Sequence, residues 1–139
     1  MASRADILPN IASQLHVISR TLYSTCPAHG ARIVAAVLGD PTRKAQWERD
    51  CRGMAERLNT VRRLLFDALV KHNVKGEWNH VIEQRGMFSY TGLTAPTVAR
   101  LKQDYHIYLL SNGRISLAGL NTGNVERFVA ALVEILGTN

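Results

Sequence analysis

Cysteine is nearly missing from this chain: Cys26 and Cys51 are the only thiols in 139 residues. Two cannot build a disulfide framework, and without CxxC spacing they do not begin a zinc site, so a reduced, intracellular protein is expected. The five histidines, at 16, 29, 72, 80 and 106, fall in no HxxxH or HExxH pattern, and no metal site is read. No apolar run approaches the roughly 18 residues that a membrane span needs. The N-terminal stretch MASRADILPN has neither an apolar core nor an Arg/Ser-rich amphipathic segment, so it carries no recognisable targeting signal. Lysine is scarce too. Only Lys44, Lys71, Lys75 and Lys102 could serve chemistry that needs an amine.

What remains is a composition of 46% hydrophobic and 20% charged residues, that of one compact globular domain with a real core. Thirteen arginines dominate a net charge of +6. They crowd only at Arg43-Lys44, Arg49, Arg52, Arg57 and Arg62-Arg63, where Glu48, Asp50, Glu56 and Asp67 are interleaved. That stretch reads as a solvated helix face with salt-bridge partners. No RNP, helix-turn-helix or zinc-finger pattern accompanies the charge, so nucleic acid is not an expected partner. A positive field of this kind serves to draw in anionic ligands.

Helical spacing of Ile11, Leu15, Ile18 and Leu22 predicts a helix over 6–22, with Pro9 tolerable near its start. Tyr23 to Pro27 is a break, and Ile33, Val34, Val37 and Leu38 form the apolar side of a second helix that Pro27 opens. Gly39-Asp40-Pro41 reads as a stop, a cap and a first helical position. From Pro41 to about His72, Trp47, Cys51, Met54, Leu58, Val61, Leu65 and Leu69 follow one stripe. Such a helix is roughly 45–50 Å long and suits a strut between two lobes. Gly86 to Thr91 then reads as a strand, and Thr94 as the cap of a helix with Val98, Leu101 and Tyr105 inward. Ile107–Leu110 and Ile115–Leu117 read as strands joined by Ser111-Asn112-Gly113, before a last helix carrying Val125, Phe128, Val129, Leu132 and Ile135-Leu136. The expected class is α+β: helices, one very long, then a small β-α-β-β-α layer.

Two arginines have neighbours suited to holding a guanidinium: Arg20, in SQLHVISRTLYS, and Arg114, in NGRISLAGLNTGN. The planar fork grips a carboxylate through two parallel hydrogen bonds, and two forks would suit a small dicarboxylate. Gly113 permits the sharp turn before Arg114, and the apolar residues after it would exclude water and strengthen an ion pair. Alone, an arginine after a turn is more often a surface salt-bridge partner, and Arg20 alone reads as a charge on a polar helix face. Phe88 and Tyr90 read as ordinary strand core, and Cys26 as a buried small residue.

The segments SQLHVISRTLYSTCPAHGARIVAAVLGDP, RGMFSYTGLT and IYLLSNGRISLAGLNTGNV, in that order, resemble the C-terminal third of the aspartate aminotransferase family, pyridoxal-phosphate enzymes of fold type I. The likeness covers nearly the whole chain from about Ile11 onward. It implies amino transfer between aspartate and 2-oxoglutarate, pyridoxal phosphate as cofactor, a homodimer in the intact enzyme, and a cytoplasmic or mitochondrial setting. It also implies that 1–40 is a remnant of the large cofactor domain, 41–73 a connecting helix and 74–139 the small domain. Residue by residue, Arg114 resembles the arginine that binds the substrate's α-carboxylate. Arg20 resembles the one that binds the distal carboxylate, in the neighbouring subunit's site. Ser24 matches the serine beside that site, close to the cofactor, and Phe88 the aromatic residue lining the substrate pocket. Thr25-Cys26 stand where the family commonly has Asn-Pro, which loosens the loop bearing Ser24.

Pyridoxal chemistry needs a lysine for the Schiff base, an acid beside the ring nitrogen and a phosphate-binding loop. None of the four lysines stands in the family's serine-rich motif. The expectation is therefore a chain that supplies dicarboxylate recognition and does not transaminate alone. The alternative is a catalytically inactive homologue acting as a binding or interaction module.

Overall fold

The computed structural model describes residues 5–139. Met1–Arg4, part of the stretch read for targeting signals, lie outside the described residues. The chain divides into two compact units, Met1–Trp47 and Glu48–Asn139.

In the first unit a 3₁₀ turn, Ala5–Ile7, leads into α1 (Leu8–Tyr23), with Pro9 in the first turn where a missing N–H costs nothing. Helix α1 ends at Ser24, whose N–H bonds Arg20 O at 3.0 Å. Pro27 precedes α2 (His29–Leu38) and is not part of its first turn, since Ala28 is the N-cap. At the next junction Gly39 N–H bonds Ala35 O at 2.9 Å. Asp40 Oδ1 then accepts from the N–H groups of Thr42 (2.8 Å) and Arg43 (3.0 Å), and Pro41 starts α3. The bond from Arg43 N–H is the main reason the Asp40 carboxyl titrates below its ordinary value. No side chain of α1 or α2 is buried, and Ile11, Leu15, Ile18 and Leu22 are exposed. Cys26 is exposed as well, correcting the buried reading: it lies in the irregular segment between the helices, where nothing in the unit covers it.

Helix α3 (Pro41–Lys71) runs for 31 residues and enters the second unit at Glu48. Its apolar stripe is buried only toward the C-terminal end. Val61, Leu65 and Leu69 are buried and Leu58 packs beside them, whereas Met54 is 60% exposed. The helix stops at Asn73, which takes the left-handed conformation (φ 50°), and Val74 N–H closes back on Leu69 O at 3.1 Å. Buried Trp78 donates to Val74 O at 3.1 Å and precedes the single turn α4 (His80–Glu83). Strand β1 (Phe88–Tyr90) follows, then α5 (Ala95–Tyr105), capped by Thr94. Strand β2 (Arg114–Ser116), a 3₁₀ turn at Leu117–Gly119 and α6 (Val125–Leu136) complete the unit. Leu65, Leu69, Leu101, Leu117, Val129 and Leu132 form the centre of the core, each at most 1% exposed. The C-terminus is tied in by an antiparallel bridge between Val74 and Thr138.

The α+β class holds, but the sheet among the described residues has two strands, β1 and β2, antiparallel with Tyr90 opposite Arg114. The strand expected at Ile107–Leu110 is absent. Ile107 N–H is taken by Leu101 O (3.0 Å) at the end of α5, where His106 turns left-handed (φ 55°). Leu110 then makes turn bonds only, accepting from Gly113 N–H at 2.8 Å and donating to Arg114 O at 3.2 Å. The backbone is spent on a helix cap and a turn, which leaves no ladder.

Two elements of the core are also joined by charge. Glu126 on α6 accepts from Lys71 Nζ (3.0 Å) and meets His72 Nε2 (2.7 Å) at the end of α3. The Lys71 bond, then that of His72, holds the Glu126 carboxyl below its usual 4.5. A depressed folded-state value means the contribution is present above the unfolded value and is lost as pH falls through the folded one. Glu126→Gln is expected to be less stable than the parent at neutral pH. The difference should shrink as pH falls below the ordinary carboxylate range and through the lowered folded-state value, as urea unfolding at a series of pH values would read.

Candidate functional site

The short sheet is built so that its two faces differ. Alternation places Ser89 (1% exposed) and Ile115 (8%) inward, and Phe88, Tyr90 and Arg114 outward. Tyr90, at 56% exposed, is therefore not the core residue expected from the strand pattern. The polar Ser89 takes the inward position because its hydroxyl donates to Gln84 Oε1 at 3.0 Å. On the outer face the Arg114 guanidinium carbon lies 4.7 Å from the centre of the Phe88 ring, a diagonal cross-strand cation–π pair. No carboxylate among the described residues pairs with Arg114. Arg114 is exposed, and it does not line the hollow of about 350 Å³ between Tyr108, Ser116, Asn124 and Phe128.

The turn before Arg114 is fixed by close contact. Gly113 has φ 82°, and a Cβ there would sit 2.8 Å from Leu93 O and 3.1 Å from both Leu93 N and Thr91 Oγ1. Its carbonyl accepts from Thr91 N–H (3.1 Å) and from the buried Thr91 hydroxyl (2.6 Å). Asn112 Oδ1 accepts from Arg114 N–H at 3.1 Å. Glycine is needed for both the dihedral and the space.

Two residues that sequence reasoning missed anchor β1. Arg62 on α3 is only 4% exposed, which corrects its reading as part of a solvated face. Its Nη1 donates to Val81 O at 2.7 Å, and its Nη2 to Gly86 O at 2.8 Å and Phe88 O at 3.2 Å. Burial, with the nearby charge of Arg85 adding, lowers its pKa. The signal was present: Leu58, Arg62, Leu65 and Leu69 follow helical spacing, so the buried stripe passes through position 62. Gln84 is the second. Its Oε1 accepts from Tyr90 N–H (2.8 Å) while its Nε2 donates to Tyr90 O (2.9 Å).

In the first unit Arg20 and Ser24 share an open hollow of about 290 Å³ with His16, Val17 and Ser19. Ser24 holds φ 58° and ψ −77°, a sparsely populated conformation for a residue with a Cβ. The four residues predicted for the site thus fall into two pairs, Phe88 with Arg114 and Arg20 with Ser24, one in each unit.

A cofactor held as a Schiff base needs a lysine in a desolvated setting. All four lysines here are exposed, and Lys71 is engaged with Glu126. With all four lysines exposed, the residues present do not fit the covalent hold on pyridoxal phosphate.

The chain belongs to the aminotransferase class I and II family, whose model matches residues 2–132. It is 46% identical over 134 residues to the cytoplasmic aspartate aminotransferase of Dictyostelium discoideum, covering 96% of this chain and 31% of that protein. Among solved structures it resembles aspartate aminotransferase from Saccharomyces cerevisiae cytoplasm (TM-score 0.83, 42% identity, 98% of this chain and 34% of that one). It also resembles the aromatic-amino-acid aminotransferase from Burkholderia pseudomallei covalently bound to pyridoxal phosphate (TM-score 0.86, 38% identity, 98% and 34%). The chain spans about a third of the length of the relatives it matches. No helix among the described residues is long and apolar enough to cross a membrane.

Gly113→Ala is expected to cost more than about 1 kcal/mol, because it combines a left-handed dihedral with a backbone clash. Urea unfolding of the variant against the parent measures it.

Proposed function

We propose that this chain is the carboxylate-recognising C-terminal part of an aspartate-type aminotransferase. In this reading 1–40 belongs to the large cofactor domain, 41–73 is the connecting helix and 74–139 the small domain. Arg114 grips the α-carboxylate of the amino or oxo acid, and the Phe88 ring beneath it forms the wall of the substrate pocket. Arg20 meets the distal carboxylate in the site of a neighbouring subunit, with Ser24 close to the cofactor. The single observation that supports the reading most directly is the Arg114 guanidinium, stacked on Phe88 and holding no carboxylate of its own. A stacked guanidinium keeps its in-plane donors available, and those are the donors a carboxylate uses.

The intact enzyme's transamination rests on pyridoxal phosphate and on groups that this chain does not supply. The exposure of all four lysines also favours a second reading, in which the chain by itself is a binding module without catalysis.

Both readings make the same demand on Arg114. Succinate added to the chain is expected to shift the Arg114 Nε–Hε resonance in ¹⁵N-edited spectra, with Arg114→Gln abolishing the response and Arg100→Gln leaving it intact. Absence of any succinate response in the parent chain would remove the carboxylate assignment. Comparing succinate with 3-phenylpropionate separates a dicarboxylate preference from an aromatic one. In a complete enzyme carrying this chain, Arg20→Asp should lower kcat/KM for aspartate by about a hundredfold or more and leave neutral amino acids nearly unaffected.

A further inference from the structure

Among the described residues, strand β1 has a partner strand on one edge alone. Its flanking ladder bonds, Leu117 N–H to Met87 O (2.9 Å) and Thr91 N–H to Gly113 O (3.1 Å), show that alternate residues face β2. The groups of Phe88 and Tyr90 must then point to the other edge. There they meet side chains. Gln84 satisfies both Tyr90 groups with one amide, in the manner of a strand residue, and Arg62 takes the Phe88 carbonyl. Arg62 also fixes the approach to the strand, through Gly86 O, and the end of α4, through Val81 O. Phe88, held in this way, is the ring on which Arg114 lies.

We propose that Arg62 is a positioning residue for carboxylate binding: through the Phe88 carbonyl it sets the ring that orients Arg114, with Gln84 fixing the register one residue pair away. The proposal deepens the assignment of Arg114 as a carboxylate ligand and rests on it for its functional consequence. The guanidinium is suited to the task. Its hydrogen bonds among the described residues go to three carbonyl oxygens, so its donors are spent on backbone geometry. A lysine could keep the charge but not a planar fork aimed at three fixed oxygens. The same fork makes position 62 of α3 a point at which the helix grips the strand bearing Phe88.

The test uses the 139-residue chain and two readings of Arg114. One is the ring-current displacement of its Nε–Hε resonance, with Phe88→Leu defining the unstacked value. The other is the succinate dissociation constant. Arg62→Lys is expected to lose at least half of the ring-current displacement and to weaken succinate roughly tenfold, within the penalty that small misplacements of a binding group carry. Gln84→Ala, which leaves α3 and its charge untouched, should move both readings in the same direction by less, and it carries the test if Arg62→Lys does not fold. Should both variants lose stability toward urea while Arg114 keeps its displacement and its affinity, the residues are merely structural and the proposal is overturned. If the parent chain shows no succinate response, the carboxylate assignment fails. Loss of displacement in Arg62→Lys would still establish the positioning role, and its retention would refute it.

Discussion

A buried guanidinium bonded to three main-chain carbonyls is the constraint around which the second unit is arranged. Arg62 brings together the end of α4, the glycine turn at Gly86 and strand β1 against one point of α3. Taking a charge out of water is costly, and here the cost is met by charge-assisted bonds and not by a counter-ion. Without this donor the Val81 carbonyl would be a buried acceptor lacking a partner, which an apolar side chain of similar size could not supply. The long helix is thus both the floor of the core, through Val61, Leu65 and Leu69, and the source of the Arg62 bonds that help hold the strand above.

The outer face of the sheet follows from that arrangement. Gly113 approaches Thr91 and Leu93 too closely for any other residue, which fixes the start of β2, and the register then places Arg114 diagonally across from Phe88. Core packing beneath, through Ile115 and Leu117, holds the backbone while leaving the arginine outward. The Arg114–Phe88 pair is thus a surface feature supported by the packed layer beneath it.

Much of this was legible in the sequence because it is local. The cap at Asp40, the Thr94 cap and the inward face of α6 follow from turn chemistry and periodicity alone. What was not legible depends on partners distant in sequence. Ile107–Leu110 looks like a strand by composition, yet its first N–H is claimed by Leu101 O and its last residue by the turn. Tyr90 has the right residue type for a core strand, but the inward place goes to Ser89, because Gln84 supplies the polar partner that makes a buried hydroxyl acceptable. Arg62 was hidden by its neighbours: among so many charges, one arginine on the apolar stripe does not stand out until its carbonyl partners, 19 to 26 residues away, are known. The site residues were proposed from motif resemblance, and the pairing of Phe88 with Arg114 is a contact that resemblance could not supply.

The side chain of Gln84 has one more effect. A two-stranded sheet ordinarily presents bare hydrogen-bonding margins, which are templates for accretion by other extended chains. Here the amide closes one margin at Tyr90, and Leu110 takes the Arg114 carbonyl on the other. So small a sheet can therefore display an aromatic and cationic surface without recruiting unwanted strands.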